Sequence, residues 1–305
     1  MRLAFTKALV NFNKKMSDVH LLTGDLGFEV FEEYIEKFPD RFTNAGISES
    51  NMVGMAAGMA QLGLTSICYS IAPFVAFRAF EQIRNDVCYP NLNVKIVGVG
   101  GGYGYSLNGQ SHCAIEDISA MRSLPNMTVL CPGDPLEAYQ ATIEMLKIKG
   151  PVYLRLGKRG EPILSYEYIG GFSLGKAVEV RKGKDLAIFT TGNMLEASIE
   201  VAEKLESAGI DASLIHIHTI KPIDKEKIKE VIKNHPKIIT IEEHSVIGGL
   251  GSAIAEINVS SQEYLRPQLI LGVDDKYHNV AGSQKYLRKL DGLDVESLVQ
   301  KILQW

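Results

Sequence analysis

Thr65-Ser66-Ile67-Cys68-Tyr69-Ser70, a helical pattern over 74–87, and then Val94-Lys95-Ile96-Val97-Gly98-Val99 form the stretch that decides the fold. Two strand-like runs flank a segment of helix length, and the second, β-branched run ends in a glycine loop, which reads as a β-α-β unit. The same alternation extends on both sides. Strands are expected at 19–22, 127–131 and 152–156, and helices at 30–38, 115–123 and 135–147. Such an order predicts a parallel sheet covered by helices. Periodicity lapses between Gly157 and Gly175, where Lys158-Arg159-Gly160-Glu161-Pro162 and Gly170-Gly171 mark a linker. A second series follows, with strands at 185–191, 212–218, 238–242 and 269–272 and helices at 194–208, 224–233 and 250–259. The fold class is therefore α/β, as two consecutive open-sheet domains, 1–165 and 175–305.

The 305 residues agree with that division, since a domain takes about 150. Two full domains also suggest a self-sufficient enzyme. Apolar residues make up 46% and charged ones 22%, which excludes a disordered tail, a collagen-like rod or a small disulfide scaffold. Lys and Arg number 32 against 36 Asp and Glu, a balance that argues against clamping nucleic acid. No signal peptide is readable around Met1–Lys7, and no apolar run reaches the ~20 residues of a membrane span. Cysteines at 68, 88, 113 and 131 make no C-x-x-C pair, so a reducing, cytoplasmic setting is expected.

Several stretches could carry chemistry. Arg41-Phe42-Thr43-Asn44-Ala45-Gly46-Ile47-Ser48-Glu49 leads into a helix rich in small residues, Gly54, Ala56, Ala57, Gly58 and Ala60. Glu49 at its start either caps the helix or serves a site. Ile71, Phe74 and Phe77 step at helical spacing, as core packing or as a slot for a flat ring. The loop Gly98–His112 follows a strand, where ligand loops of open sheets lie, but it lacks a strict G-x-G-x-x-G. His216 and His218 share a strand face with no third metal ligand spaced to join them. Glu242-Glu243-His244 ahead of Gly248–Gly251 is either a turn network or an interface. Lys221–Lys233 reads as a solvated helix face.

Together these stretches resemble the C-terminal half of transketolase, over nearly the whole chain from Arg2 to about Gly282. The carriers are Arg41–Gly58, Arg78-Ala79-Phe80-Glu81-Gln82-Ile83-Arg84, Ser111-His112 with Glu116-Asp117-Ile118, Met121–Met127, Thr219-Ile220-Lys221-Pro222, and Ile241-Glu242-Glu243-His244 with its glycine turn. The resemblance implies a pyrimidine-binding domain followed by a transketolase C-terminal domain, acting with thiamine diphosphate to move a two-carbon ketol unit. Glu49 matches the glutamate that bonds N1′ of the aminopyrimidine, which favours the imino form of the 4′-amino group and proton removal from C2. Ile71, Phe74 and Phe77 match the aromatic triplet around the pyrimidine, with Phe74 as the stacking residue and Ile71 a departure. Asp25-Leu26 match an Asp-Leu beside the cofactor, and the small-residue helix implies close packing at a dimer axis.

Arg2, Lys158, Asn108 and His112 fall at substrate positions, with His112 also a catalytic candidate. Four residues depart from the family pattern: Lys158 replaces arginine, Asn108 aspartate, Gly100 histidine and Glu29 a phosphate-contacting serine. The lysine loses the bidentate fork, and Glu29 would repel a phosphate, so the expected sugar has altered ends. The family's G-D-G…N metal and diphosphate signature is missing; Thr23-Gly24-Asp25-Leu26, Gly133-Asp134-Pro135 and Asp291-Gly292-Leu293 do not supply it. The implication is a split enzyme. A separate N-terminal subunit would hold Mg2+ or Ca2+ and the diphosphate, in an α2β2 heterotetramer in which this chain also self-associates. Rival readings are a 1-deoxyxylulose-5-phosphate synthase-like protein, a β subunit of a 2-oxo acid dehydrogenase, and a non-catalytic scaffold.

Overall fold

Parallel strands buried on both faces read as unbroken apolar runs, and Val94–Val99 is buried at every position. A computed structural model describes residues 1–14, 18–164, 172–261 and 264–305; Lys15 and the Gly170-Gly171 part of the expected linker lie outside these. In the first half, α1 (Arg2–Asn13), β1 (Val19–Thr23), α2 (Glu32–Lys37), β2 (Phe42–Asn44), α3 (Glu49–Gln61), β3 (Thr65–Ile71), α4 (Phe80–Gln82), β4 (Val94–Val99), α5 (Asp117–Ser123), β5 (Thr128–Leu130), α6 (Pro135–Lys147) and β6 (Val152–Leu156) follow in order. The second half contributes β7 (Val178–Arg181), β8 (Leu186–Thr190), α7 (Leu195–Ser207), β9 (Ala212–His216), β10 (Thr219–Lys221), α8 (Lys225–Asn234), β11 (Ile238–Ser245), α9 (Leu250–Ser260), β12 (Gln268–Val273), α10 (Gln284–Leu290) and α11 (Val295–Gln304).

Two open sheets result, as the alternation predicts. The first has seven strands in the order β10-β5-β6-β4-β3-β1-β2, and the second five in the order β12-β11-β8-β9-β7. All neighbours are parallel except β10 against β5 and β7 against β9. Because β2 and β3 flank β1 on opposite sides, the chain reverses direction across the first sheet there, and ligands of open α/β sheets bind at the carboxyl ends beside such a switch.

Four features differ from the sequence reading. Helix α1, not expected from the sequence, packs on α6 and buries Phe5, Ala8 and Leu9 at i, i+3, i+4 spacing. Helices α10 and α11 close the chain, with Leu287, Leu298 and Ile302 buried. The segment expected as one helix over 74–87 is interrupted: wide, π-type turns at Phe74–Arg78 and Ile83–Cys88 flank α4. The second half keeps its own five-stranded sheet, but it also lends β10 to the first, where that strand pairs with β5. Apolar packing crosses the same seam, joining Met121, Leu124 and Met127 to Phe189, Ile215 and Ile217 in one cluster.

Buried polar groups fix the joints. Lys95 in β4 is fully buried and donates to the carbonyls of Ile148 at 2.8 Å and Gly150 at 2.7 Å, just past the C-terminus of α6, where a cation is favourable. Glu243 in β11 accepts the Tyr103 amide at 2.6 Å and Gln284 Nε2 at 2.8 Å, and also pairs with Arg288. It thereby holds the 98–112 loop from the second sheet. Glu242 accepts the amides of Leu250 and Gly251, both at 2.7 Å, capping α9, so the Glu-Glu-His motif is a turn network.

Burial pushes the Lys95 ammonium down to about 7 from 10.5. Between those values the unfolded chain binds more protons than the folded one, so the lysine makes stability rise with pH. Unfolding of wild type and Lys95→Met compared from pH 7 to 9.5 is expected to show an extra slope in wild type of up to about 1.4 kcal/mol per pH unit; parallel curves would refute this. For Glu243→Ala, the half-buried Arg288 and the buried Tyr103 amide lose their acceptor, and a stability loss of about 1–3 kcal/mol is expected. Hydrogen exchange should quicken first over residues 100–112, and urea titration reads the loss.

Candidate active site

The first four strands deliver their carboxyl ends to one edge. After β1 come Gly24, Asp25 and Leu26; after β2 comes the turn to Glu49; after β3 comes Phe74–Arg78; after β4 comes the glycine loop. Asn44 joins the first two. Its Oδ1 accepts the amides of Asp25 and Gly46, both at 3.0 Å, and its Nδ2 donates to Asp25 Oδ1 at 2.9 Å. Asp25 takes a left-handed backbone, φ 53°, which aspartate tolerates better than most residues. Leu26 packs against the core beneath α1.

Glu49 opens α3, where the helix dipole favours a carboxylate. It is only 3% exposed. Its Oε1 accepts from Ser70 Oγ at 3.0 Å, and its Oε2 from Arg78 Nη1 at 3.3 Å. The carboxylate thus faces the edge between β1 and β3, with the Gly24 backbone beside it. Phe74 is half-buried, its ring in a T-shaped contact with that of His112 at 5.0 Å between centroids. His112 Nδ1 is 3.1 Å from Ser111 Oγ. Glu49, Phe74 and His112 are therefore linked through contacts, the first two by way of Arg78.

Ile71 and Phe77 do not join that group as a helical stripe. Ile71 ends β3 and packs on the core, whereas Phe77 lies in the wide turn and is 38% exposed. The spacing of 71, 74 and 77 suggested a helix, but the strand runs through Ile71.

A second group lies at the N-terminus of α1. Arg2, Glu29 and Lys158 line one cavity of about 320 Å³, together with Arg159 and Glu161. Lys158 Nζ is 4.6 Å above the Tyr105 ring, and burial pushes the Tyr105 hydroxyl up while Arg2 opposes it. Gly100 has φ 77°, and a Cβ there would lie 2.0 Å from the Tyr105 ring. Tyr105 thus fills the space that a side chain at 100 would need. Asn108 is exposed at the end of a 3-10 turn, Ser106–Asn108.

His216 and His218 belong to neither group. His216 Nε2 meets Glu137 Oε2 at 2.8 Å, and Phe172 stacks on His218 at 4.2 Å. Burial pushes His218 down to about 4, and among the described residues no cluster of three His, Cys, Asp or Glu could hold a metal. All four cysteines are unpaired and buried, and burial pushes the thiols of Cys88 and Cys113 up to about 11. No described helix is long and apolar enough to cross a membrane.

Ser70, Arg78 and Tyr105 were missed as site residues. Arg78 gave a signal, a lone charge after the apolar run Ile71–Phe77. Ser70 gave none, because a small polar residue at a strand end has many roles.

The sequence pattern of the transketolase pyrimidine binding domain matches residues 1–161, and that of the transketolase C-terminal domain matches 175–298. A Methanocaldococcus jannaschii protein named, provisionally, as a transketolase C-terminal section is 38% identical over all of this chain and 95% of its own length. The 6-deoxy-6-sulfo-D-fructose transketolase subunit SqwH of Clostridium sp. (strain MSTE9) is 35% identical over 98% of this chain and 92% of its own. A solved structure described as a split gene transketolase, inactive beta4 tetramer, superposes with a TM-score of 0.90 at 38% identity, covering 99% of this chain and 97% of that one. The chain belongs to the thiamine-dependent transketolase family, with a pyrimidine-binding domain followed by a transketolase C-terminal domain.

Proposed function

We propose that this chain is the C-terminal subunit of a split transketolase, transferring a two-carbon ketol unit between sugars in company with an N-terminal subunit. The observation that carries this is the nearly dry Glu49 carboxylate at the carboxyl edge of the first sheet, with the half-buried ring of Phe74 linked to it. A buried carboxylate accepts a hydrogen bond from a protonated ring nitrogen, and an aromatic face stacks on a flat heterocycle. This donor set fits the aminopyrimidine half of thiamine diphosphate. The chain has no G-D-G, so this reading assigns the diphosphate and its Mg2+ or Ca2+ to the partner.

When bound, the cofactor supplies the carbon centre that carries the ketol unit. The chain's own residues orient and exclude water. Glu49 holds a proton at N1′ of the pyrimidine, Ser70 fixes the carboxylate's other oxygen, and Phe74 with Phe77 and Ile71 walls the ring. Asp25 and Leu26 border the same edge through the Asn44 clamp. His112, in contact with the Phe74 ring, bonds a substrate hydroxyl, with Asn108 on the same loop; Arg2 and Lys158 meet the far end of the sugar. We take 1–165 and 175–305 as the working domains in a cytoplasmic α2β2 assembly. Self-association through α3 is supported by Gly54 and Gly58, which face open space.

The sugar end is altered in this reading. Tyr105 over Gly100, the single-point charge of Lys158, and Glu29 in the same cavity suit a terminus other than an ordinary phosphate. The Clostridium relative, whose name specifies a sulfo-sugar, supports the same direction.

The test is reconstitution with a subunit carrying G-D-G…N, thiamine diphosphate and Mg2+. Glu49→Ala is expected to lower kcat by at least about 100-fold, and unchanged turnover would refute the assignment. In the same assay, xylulose 5-phosphate with ribose 5-phosphate is expected to turn over poorly. Efficient use of that pair would count against the altered end.

A further inference from the structure

The face of Phe74 is covered. The Arg78 guanidinium carbon lies 4.0 Å from the ring centroid, while Nη1 reaches Glu49 Oε2 at 3.3 Å. One side chain therefore engages both groups that the proposed function gives to the pyrimidine. Resting on that reading, we propose that Arg78 is a placeholder for the aminopyrimidine, displaced when the cofactor enters and competing with it until then.

The chemistry of the two occupants is alike. A guanidinium is planar, cationic and donor-rich, so it stacks on an aromatic face and donates to a carboxylate at once; a protonated aminopyrimidine does both. Glu49 needs such a partner. At 3% exposure, its Oε2 would lack the compensation that Ser70 gives to Oε1, and a buried charge left unpaired is costly. With Arg78 present, the slot keeps its carboxylate in place without the cofactor.

Arg78 is also built to leave. Its side chain is 53% exposed, against 2% for that of Glu49, so the guanidinium exchanges one partner for water at small cost. Its backbone is pinned while the side chain turns, because Ser50 Oγ donates to the Arg78 carbonyl at 2.9 Å. It ends the wide turn Phe74–Arg78, a local geometry that recurs at functional sites. Departure of Arg78 therefore frees the ring face it covers and a carboxylate oxygen together.

The chain assembled with its partner subunit is titrated calorimetrically with thiamine diphosphate in excess Mg2+, for wild type, Arg78→Ala and Arg78→Lys. The apparent dissociation constant of a self-occluded site is raised in proportion to the occluded fraction. Arg78→Ala is expected to bind about three- to tenfold more tightly, with Arg78→Lys between, since it keeps the charge and loses the planar stack. The gap should narrow as NaCl rises, because the half-exposed ion pair is screened. Equal or weaker binding by Arg78→Ala, with wild type binding normally, overturns the placeholder and leaves the cofactor reading intact. Absence of binding by assembled wild type overturns both.

Discussion

Arg155 is the charge around which the two halves are fastened. Fully buried on β6, it pairs through Nε with Asp117 Oδ2 at 2.8 Å and donates Nη2 to the carbonyls of Ala114 and Glu243, both at 3.0 Å. Tyr153 donates to the same Asp117 oxygen at 2.7 Å. A guanidinium this deep is tolerated only when its donors are matched, and these acceptors come from the glycine-loop return, the start of α5 and the second sheet. Gly101 follows from it, since a Cβ there would lie 2.6 Å from Arg155 Nε. The path of the His112 loop is thus set by a charge that touches no proposed ligand.

That arrangement explains why the site lies where it does. Parallel strands share one carboxyl edge, and the reversal of strand order at β1 opens a crevice there. Asn44 ties the first two loops, Arg155 and Glu243 tie the fourth, and Glu49 comes in on a helix start between them. Both catalytic candidates, Glu49 and His112, stand on connections leaving the carboxyl ends of parallel strands, β2 and β4. The carboxylate remains dry because α3 begins inside that crevice.

Much of this was legible in the sequence. Val94–Val99 and Val152–Leu156 are buried throughout, so their apolar runs sufficed, and Arg41–Glu49 declared both its helix start and its family likeness. Less legible was whatever depends on side-chain direction across loops. Nothing in the order of residues says that Arg78 folds back onto Phe74, or that Tyr105 takes the room above Gly100. Helix α1 was overlooked because its stripe is short and its first turn carries no acidic residue. Lys95 looks like an interruption in a strand until the carbonyls beyond α6 come within its reach.

The pairing of β10 with β5 bears on how the chain is made. Emerging from the ribosome, β1 through β6 can form a six-stranded sheet, but its β5 edge stays bare until residues 219–221 have been synthesised and folded back. A bare edge is a template for pairing with another chain, and domains otherwise complete themselves in order of synthesis. The nascent first half therefore carries a sticky margin through the making of β7, β8, α7 and β9. A break in the chain between its two halves would sever that dependency.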